Sequence, residues 1–479
     1  MNRQKIIHFA IGPIGNAALS LITLPVMAWF YSVEDIGRIS ILQTVISLCV
    51  LSIPLGLDHA YVREYHESES KICLLKSTIM PGALLLVILA IVASTTPSNI
   101  SQFLFDKNSP ALSLLVSLCL ASAFFTRFFS LVLRMQEKGL AFSMSQIIPK
   151  LALLTIITFY FVLNTAFDFL HLIAAHATAI IVATLVCAYN ARGDLKGILH
   201  QKTNYADIKK MLRFGVPLIF GGIAFWGLTS MDKIFLRSLS TFEELGVYSV
   251  AVSFASVAII LQSVFSTVWA PTVYKWAKEG VNPEKIDKIT NLVLLIVVLC
   301  FSIAGLFSWT IKYLLPEHYN GVEYIILPCM AYPLLYTLSE TTVVGLGIMR
   351  KSTHIMMASI ISVLVNLLGN YYLVPLYGAA GAAASTAIAF WVFLFIRTEL
   401  SSRAWRELPR GRLYLLTALC TFISISFPIY GQEYRYIFNI FWIGLFATSL
   451  FYSKRGLKDL KSIVDEGKPH EKNSLRILS

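Results

Sequence analysis

Long apolar segments recur along the whole 479-residue chain, and they constrain its fold more than any other feature. About 20 consecutive apolar residues are enough for a helix to cross the roughly 30 Å hydrocarbon core of a bilayer. Lipid forces each backbone polar group to be satisfied within its own segment, which favours helices, and long uninterrupted apolar runs exclude an alternating β-barrel. Only 14% of the residues are charged, against about 25% in soluble domains. The sequence therefore predicts an all-α polytopic membrane protein.

The apolar runs divide into about fourteen predicted spans. The first is too long for the core of a cleavable signal peptide, so we expect it to remain as a helix. The seven cysteines are scattered without a Cys-x-x-Cys pair, so we assign them neither a disulfide nor a metal. The predicted spans are 6–31, 36–57, 73–95, 110–133, 139–163, 168–190, 211–231, 245–274, 288–311, 323–349, 353–375, 379–397, 412–430 and 436–453.

The distribution of Lys and Arg predicts the orientation of the spans. With both termini in the cytoplasm, 31 of the 39 Lys and Arg residues fall on the cytoplasmic side and six on the outer side. Cytoplasmic loops are enriched in these residues, so the split indicates an even number of spans. The net charge of +12 follows mostly from this topology and does not indicate nucleic-acid binding.

The two halves of the chain resemble each other at several points. EDIGRIS (34–40) follows the first span, and EELGVYS (243–249) follows the seventh, 209 positions later. We predict a parallel tandem repeat of two six-helix lobes with two further C-terminal helices, so that the substrate path lies between the lobes. The predicted domains are an N-terminal lobe (1–190), a cytoplasmic linker (191–210), a C-terminal lobe (211–398), two additional helices (399–453) and a basic cytoplasmic tail (454–479).

Ionisable residues inside the spans are candidates for function, because a charge at the bilayer centre costs about 2.5–3.5 kcal/mol. Lys150 lies near the middle of the fifth span, and Arg127 lies about two turns from the inner end of the fourth. They either line a cationic, water-filled cavity for an anionic group or pair with polar groups that hold helices together. Glu340, in the tenth span, is either a coupling-ion site or the counter-charge of one of these cations.

Other candidates lie at bends or ends of the spans. Three prolines, Pro13, Pro25 and Pro217, interrupt helical hydrogen bonding and are candidate hinges. Asp232 and Lys233, at the outer end of the seventh span, either gate the outer mouth or form an exposed local ion pair. Uncharged polar residues inside spans either hydrogen-bond sugar hydroxyls or bridge helices; they are Asn16, Gln43, Gln146, Gln262, Asn366 and Asn370.

The polar stretch GLDHAYVREYHESE (56–69) separates two apolar spans on the cytoplasmic side. On a helix Tyr61 and Tyr65 share a face, and Arg63 lies one turn from Glu67. Tyrosines at headgroup level and mixed charges predict an amphipathic extension of the second span in the membrane interface. Within it, Asp58 is a candidate coupling or counter-charge carboxylate.

Nothing in the sequence indicates an enzyme. No Walker A loop, nucleotide-binding cassette or catalytic constellation stands out, which excludes ATP as the direct energy source. The outer loops are short, and the longest (94–109) has about sixteen residues. A membrane polymerase or ligase acting on sugars outside the membrane is expected to need a larger outer segment, so a transporter is favoured.

A family resemblance rests on five stretches, which are GLDHAYVREYHE, LRMQEKGLAFS, LRFGVPLIFGGIAFWGLTSMDKIFL, ELGVYSVAVSFA and LYGAAGAAASTAIAF. They resemble the bacterial polysaccharide transporters, and the resemblance covers nearly the whole chain. These proteins flip lipid-linked oligosaccharides such as O-antigen units, and their superfamily also holds the multidrug and toxic-compound extruders. The motifs separate this group from other carriers without naming a sugar.

The resemblance implies a protein of the bacterial cytoplasmic membrane that flips an undecaprenyl-pyrophosphate-linked oligosaccharide from the inner to the outer leaflet by alternating access. No cofactor is expected, and the coupling ion is expected to be H⁺ or Na⁺. The expected partners are the lipid-linked oligosaccharide, membrane lipids and the polysaccharide polymerase machinery. Lys150 and Arg127 match the expected pyrophosphate-attracting charges by type and depth, and Arg63 is placed for first contact with the lipid head.

Two alternatives remain open. A cation-coupled drug extruder of the same superfamily is expected to favour buried carboxylates in its N-terminal half, whereas the two deep charges there are basic. A membrane polysaccharide polymerase or ligase is the more distant alternative.

Overall fold

All regular structure in the described residues is helical. The computed structural model describes residues 3–201, 203, 205–280, 282 and 284–466. Residues 467–479 of the predicted basic tail lie outside the described residues. The α-helices are α1 (Arg3–Phe30), α2 (Val33–Ser52), α3 (Leu57–Glu64), α4 (Lys71–Thr95), α5 (Asn99–Phe105), α6 (Pro110–Met135), α7 (Gly139–Val162), α8 (Phe169–Leu195), α9 (Tyr205–Leu239), α10 (Phe242–Glu279), α11 (Glu284–Phe307), α12 (Val322–Thr342), α13 (Val344–Ile348), α14 (Ser352–Ala404), α15 (Gly411–Tyr430) and α16 (Arg435–Glu466).

Twelve helices in the described residues are long and apolar enough to cross a membrane. The prediction of an all-α polytopic membrane protein is therefore confirmed. The number differs from about fourteen for two reasons. The predicted spans 353–375 and 379–397 form the single element α14, and α16, which contains the last predicted span, is not among the twelve.

Gly378 divides α14 at the point where the sequence predicts a gap between two spans. Its φ of 52° and ψ of −126° are not helical, and such a positive φ favours glycine. The Glu244 carboxylate accepts a hydrogen bond from the Ala379 N–H at 2.7 Å. The carboxylate thus satisfies a backbone donor that the break in the helix leaves free.

The chain divides into two compact units. Of the described residues, the first comprises those within 3–260, 311–322 and 366–385, and the second comprises those within 261–310, 323–365 and 386–466. In the first unit α1 packs along α7, α6 packs along α8, and α2 contacts α9. In the second unit α11 packs along α16. The lobe and linker boundaries predicted from the sequence stay a prediction.

Two glycines bring α2 and α10 into close contact within the first unit. A Cβ atom on Gly37 would lie 2.1 Å from the backbone oxygen of Phe242, and one on Gly246 would lie 2.2 Å from that of Val33. Gly37 and Gly246 are 209 positions apart, as are the two similar motifs that contain them. The helices therefore meet through equivalent residues of the predicted repeat.

The polar stretch 56–69 forms a helix of its own, so the prediction that it extends the second span is wrong. Helix α2 ends at Ser52, and α3 begins after Gly56, whose φ is 71°. A Cβ atom on Gly56 would lie 2.2 Å from the backbone oxygen of Gly215. The left-handed backbone and this close approach both require glycine, and they fix the turn that separates α3 from α2.

Tyr61 is fully buried in an apolar cluster of the first unit, which corrects its prediction as a headgroup-level residue. Its ring packs edge to face against that of Tyr65, with centroids 5.6 Å apart. Burial raises the pKa of the Tyr61 hydroxyl, and Tyr65 and Asp194 raise it further. The helix ends at Glu64, which leaves Arg63 without the helical turn expected to bring it to Glu67.

Candidate functional site

The ammonium group of Lys150, on α7, contacts the neighbouring helix α1. It donates a hydrogen bond to the backbone oxygen of Asn16 at 2.9 Å and another to the Ser20 hydroxyl. Ser20 also donates to the Asn16 oxygen, so the three residues form one small cluster. In the described part of the chain, the hydrogen-bond partners of this ammonium group are these two neutral oxygens. Lys150 is therefore a partly buried cation that is solvated by neutral oxygens.

Arg127 has a different environment, because the structure brings it together with Asp58. Two of its nitrogens, Nε and Nη2, donate to Asp58 Oδ2 at 3.1 and 2.7 Å. Asp58 is 5% exposed and lies in the first turn of α3, where the helix dipole favours a negative charge. The pair joins α6 to α3, and its two opposite charges compensate each other.

Arg63 lies on the exposed side of α3. Its side chain is 56% exposed and lies 3.7 Å from Glu64. The guanidinium also stacks over the ring of Phe214, 4.4 Å from the centroid. It is thus held near the surface on the predicted cytoplasmic side, and it is not part of the Lys150 cluster described above.

Glu340 pairs with a residue that the sequence did not single out. In the second unit its Oε1 lies 3.0 Å from Nη1 of Arg397, which also donates to the Ser339 hydroxyl at 2.7 Å. The Trp269 indole N–H donates to the backbone oxygen of Glu340 at 3.0 Å. Arg397, the last residue of the predicted span 379–397, is only 6% exposed and lies inside α14, which continues to Ala404.

Asp232 is buried within α9, with 1% exposure. Its carboxylate accepts hydrogen bonds from the Tyr248 hydroxyl at 2.6 Å, from Asn370 Nδ2 at 2.7 Å and from Asn366 Nδ2 at 3.2 Å. These four residues, all in the first unit, form the Asp232 cluster. The two asparagines were candidates in the sequence, and their spacing of four residues places them on one face of α14.

The alternative of an exposed Asp232–Lys233 pair at the end of a span is wrong. Helix α9 continues to Leu239, so both residues lie inside it, and Lys233 is partly buried. The predicted span 211–231 ended at these residues because two charged residues there follow a long apolar run. Hydrogen-bond donors on α10 and α14 stabilise the Asp232 carboxylate, so this residue can lie inside a buried part of α9. The role of Asp232 and Lys233 as an outer gate stays a prediction.

The candidate hinge prolines lie inside continuous helices, Pro13 and Pro25 in α1 and Pro217 in α9. Near Pro13, the Ser143 side chain inserts between two backbone groups that would otherwise bond to each other. It accepts from the Gly12 N–H at 3.0 Å and donates to the His8 oxygen. An inserted side chain and a proline are both known causes of helix bending, and α1 has both causes within one turn.

The family of the chain follows from its first 277 residues. Residues 3–277 match the model of a family described as "Polysaccharide biosynthesis protein". The chain belongs to this family. The resemblance to the polysaccharide transporters is thereby confirmed, and no curated protein sequence matches the chain significantly.

Solved structures show which fold this family member shares. A lipid II flippase MurJ, in an inward closed conformation, is similar with a TM-score of 0.68 and 15% identity, over 94% of this chain and 99% of that one. An inward-facing MATE multidrug resistance transporter of the MOP superfamily is similar with a TM-score of 0.53 and 14% identity, over 86% of this chain and 99% of that one. The chain therefore has the MurJ and MATE fold.

Proposed function

We propose that this polysaccharide biosynthesis protein is a flippase of a lipid-linked oligosaccharide. It moves an undecaprenyl-pyrophosphate-linked repeat unit from the cytoplasmic to the outer leaflet of a bacterial cytoplasmic membrane, for O-antigen or another surface polysaccharide. Both termini lie in the cytoplasm, transport proceeds by alternating access, and no covalent chemistry is involved. Family membership and a fold similar to that of a lipid II flippase support the proposal.

The environment of Lys150 is the observation that most directly supports the flippase proposal. A charge inside a membrane protein is costly unless it is compensated, and among the described residues the hydrogen-bond partners of this ammonium group are two neutral oxygens of α1. A pyrophosphate entering this region supplies the missing negative charge, and Coulomb attraction is strong where the dielectric constant is low. Lys150 is thus the residue we assign to binding the pyrophosphate.

Arg127 and Arg63 have secondary roles in this proposal. The charge of Arg127 is already compensated by Asp58, so Arg127 contributes to the cationic region less than Lys150 does. Arg63 is exposed on the predicted cytoplasmic side, where it makes the first contact with the phosphates of the arriving lipid. Bidentate geometry suits a guanidinium to phosphate, and the stacking on Phe214 orients it.

Complementation of a strain that lacks its own flippase tests the function. Wild type and Lys150→Arg should restore surface polysaccharide. Lys150→Ala should fail to restore it, and the strain that expresses this variant should accumulate lipid-linked repeat units inside the cell. Lys275→Ala, which removes an exposed lysine (71%) paired with Glu279, is the matched control and should behave as wild type. Full rescue by Lys150→Ala at equal membrane levels would contradict the role of Lys150.

For the coupling ion, H⁺ or Na⁺, the Asp232 cluster is the site we propose. The two carboxylates suggested by the sequence, Glu340 and Asp58, form ion pairs with arginines, and Asp232 likewise has a cation beside it, Lys233. What favours Asp232 is its surroundings: its carboxylate accepts from three neutral donors, and the Asn370 Oδ1 atom beside it is buried without a hydrogen-bond partner. A carboxylate and an amide oxygen are suitable ligands for a hard cation.

Drug extrusion is the second candidate function, because the fold is also that of a MATE transporter. The N-terminal half does contain a buried carboxylate, Asp58, as an extruder is expected to have. However, Arg127 compensates it. Failure to complement any surface polysaccharide, together with raised resistance to cationic drugs, would support extrusion over flipping.

A further inference from the structure

A cavity of about 860 Å³ lies in the first unit, and neither Lys150 nor the Asp232 cluster lines it. Four helices, α2, α4, α6 and α9, form its walls, and the short helix α5 covers one end. The lining is mostly apolar, with Val45 and Leu48 on α2, Leu89 on α4 and Leu120 on α6. The proposed transport path does not account for it.

The polar groups of this cavity are concentrated at one end. Asn99 and Gln102 lie there on α5, next to Asp106 and Arg237. Arg237 donates to Asp106 and to the backbone oxygen of Leu104 at 3.1 Å. Helix α2 begins and α4 ends near this side, which is the outer side in the predicted topology. The cavity is therefore polar at headgroup level and apolar towards the bilayer centre.

The apolar wall continues into a surface that faces lipid. Helix α4 exposes a run of aliphatic side chains, among them Leu84 (60%), Val87 (55%) and Ile91 (59%). The same helix contributes Leu89 and Val92 to the cavity. Water does not fill an apolar cavity stably, and an empty one loses the dispersion contacts of its lining. Hydrocarbon from the adjacent bilayer would both exclude water from the cavity and restore the dispersion contacts of its lining.

We propose that this cavity binds one acyl chain of a zwitterionic membrane phospholipid, inserted from the outer leaflet. The compensated Arg237–Asp106 pair complements a headgroup that carries both a phosphate and an amine. It offers no excess positive charge for the pyrophosphate of a polyprenyl carrier. Along α2, the wall from Ile41 to Leu48 is about 10 Å long, which is enough for the inner part of one chain.

Photolabelling in vesicles tests this assignment without relying on transport. The full-length protein is reconstituted with a phosphatidylcholine that carries a diazirine near the terminal methyl group of one chain, and labelled peptides are identified. We expect labels on Val45, Leu48 and Leu120, in addition to the exposed residues of α4. A probe with the diazirine near the ester should instead label the α5 end of the cavity.

Variants that fill the cavity make the test specific. Val45→Trp should reduce labelling of Leu120 several-fold and leave labelling of Leu84 unchanged, and Leu120→Trp should do the same for Val45 from the opposite wall. Leu84→Trp, on the exposed face of α4, is the control and should leave the cavity labels unchanged. Labelling confined to α4, or cavity labelling by a photoactivatable polyprenyl phosphate and not by the phospholipid, would overturn the proposal.

Discussion

The Ser249 hydroxyl donates a hydrogen bond to the Ser40 hydroxyl, with the oxygens 2.7 Å apart, although 209 positions separate the two residues in the sequence. Both are buried, and the Ser249 oxygen also lies 2.7 Å from the backbone oxygen of Leu245. They occupy the same position in the two similar motifs that follow the first and seventh predicted spans. The N-terminal parts of α2 and α10, which are their outer parts in the predicted topology, are therefore in direct contact here.

A disulfide at this pair should stop transport. In a background whose seven native cysteines are replaced, Ser40→Cys with Ser249→Cys should cross-link on oxidation, because the side chains already touch. If α2 and α10 separate when the outer side opens, the oxidised protein should be inactive and a reductant should restore activity. Either cysteine alone is the control. Full activity of the cross-linked protein would show that this contact does not open.

Gly37 should be intolerant of a methyl group. Gly37→Ala places a Cβ atom 2.1 Å from the Phe242 oxygen, so α2 and α10 must move apart, at a cost of about 1–3 kcal/mol. Gly221→Ala is the matched control, because nothing lies within 4 Å of its Cβ position, and alanine favours a helix by roughly 0.5–1 kcal/mol. Thermal unfolding in detergent should show a lower midpoint for the first variant and an unchanged or higher one for the second. Equal midpoints would argue against the tight contact.

The Arg397–Glu340 pair should matter for stability. Arg397→Met alone leaves the partly buried Glu340 carboxylate, whose side chain is 15% exposed, without its arginine, and breaking such a pair costs up to about 3–5 kcal/mol. Changing both residues, with Arg397→Met and Glu340→Gln, should recover most of that loss, since no uncompensated charge remains. The midpoints of thermal unfolding of the two single variants and the double variant measure the coupling. Additive losses would mean that the two side chains do not depend on each other.

Asp232→Asn should abolish the dependence of transport on its coupling ion. The amide keeps the size of the side chain but can accept hydrogen bonds through only one of the two positions at which the carboxylate accepts them, and it removes the charge that attracts Na⁺ or binds H⁺. In vesicles, wild type should respond to an imposed Na⁺ or pH gradient and the variant should not. Glu244→Gln, at a carboxylate whose described contact is the Ala379 N–H, is the control. A gradient response that persists in Asp232→Asn would place the coupling site elsewhere.

The helices were predictable from the sequence because their signal is local. A long apolar run predicts a span wherever it occurs, and the gap between the predicted spans 353–375 and 379–397 coincides with the break at Gly378 in α14. The two similar motifs are recognisable in the sequence, but their contact between α2 and α10 is seen only in the structure. The prediction of the spans needs no knowledge of distant contacts.

The partners of buried polar residues were not predictable, because they depend on tertiary contacts. Arg397 and Glu340 are separated by 57 positions, and an arginine at the end of an apolar run is ordinarily a loop residue. Asp232 was placed at the end of a span for the same reason. Tyr61 is of the residue type that anchors helices at the membrane interface, and only the packing of α3 against the core shows that it is buried.

Direct measurement of flipping tests the central claim. The purified protein is reconstituted in vesicles with a fluorescent undecaprenyl-pyrophosphate oligosaccharide, and the fraction of headgroups accessible to an external quencher is followed in time. Wild type and Lys275→Ala should accelerate equilibration between the leaflets over empty vesicles, and Lys150→Ala should lose most of that acceleration. No acceleration by wild type, under conditions in which a known flippase is active on the same lipid, would contradict the account.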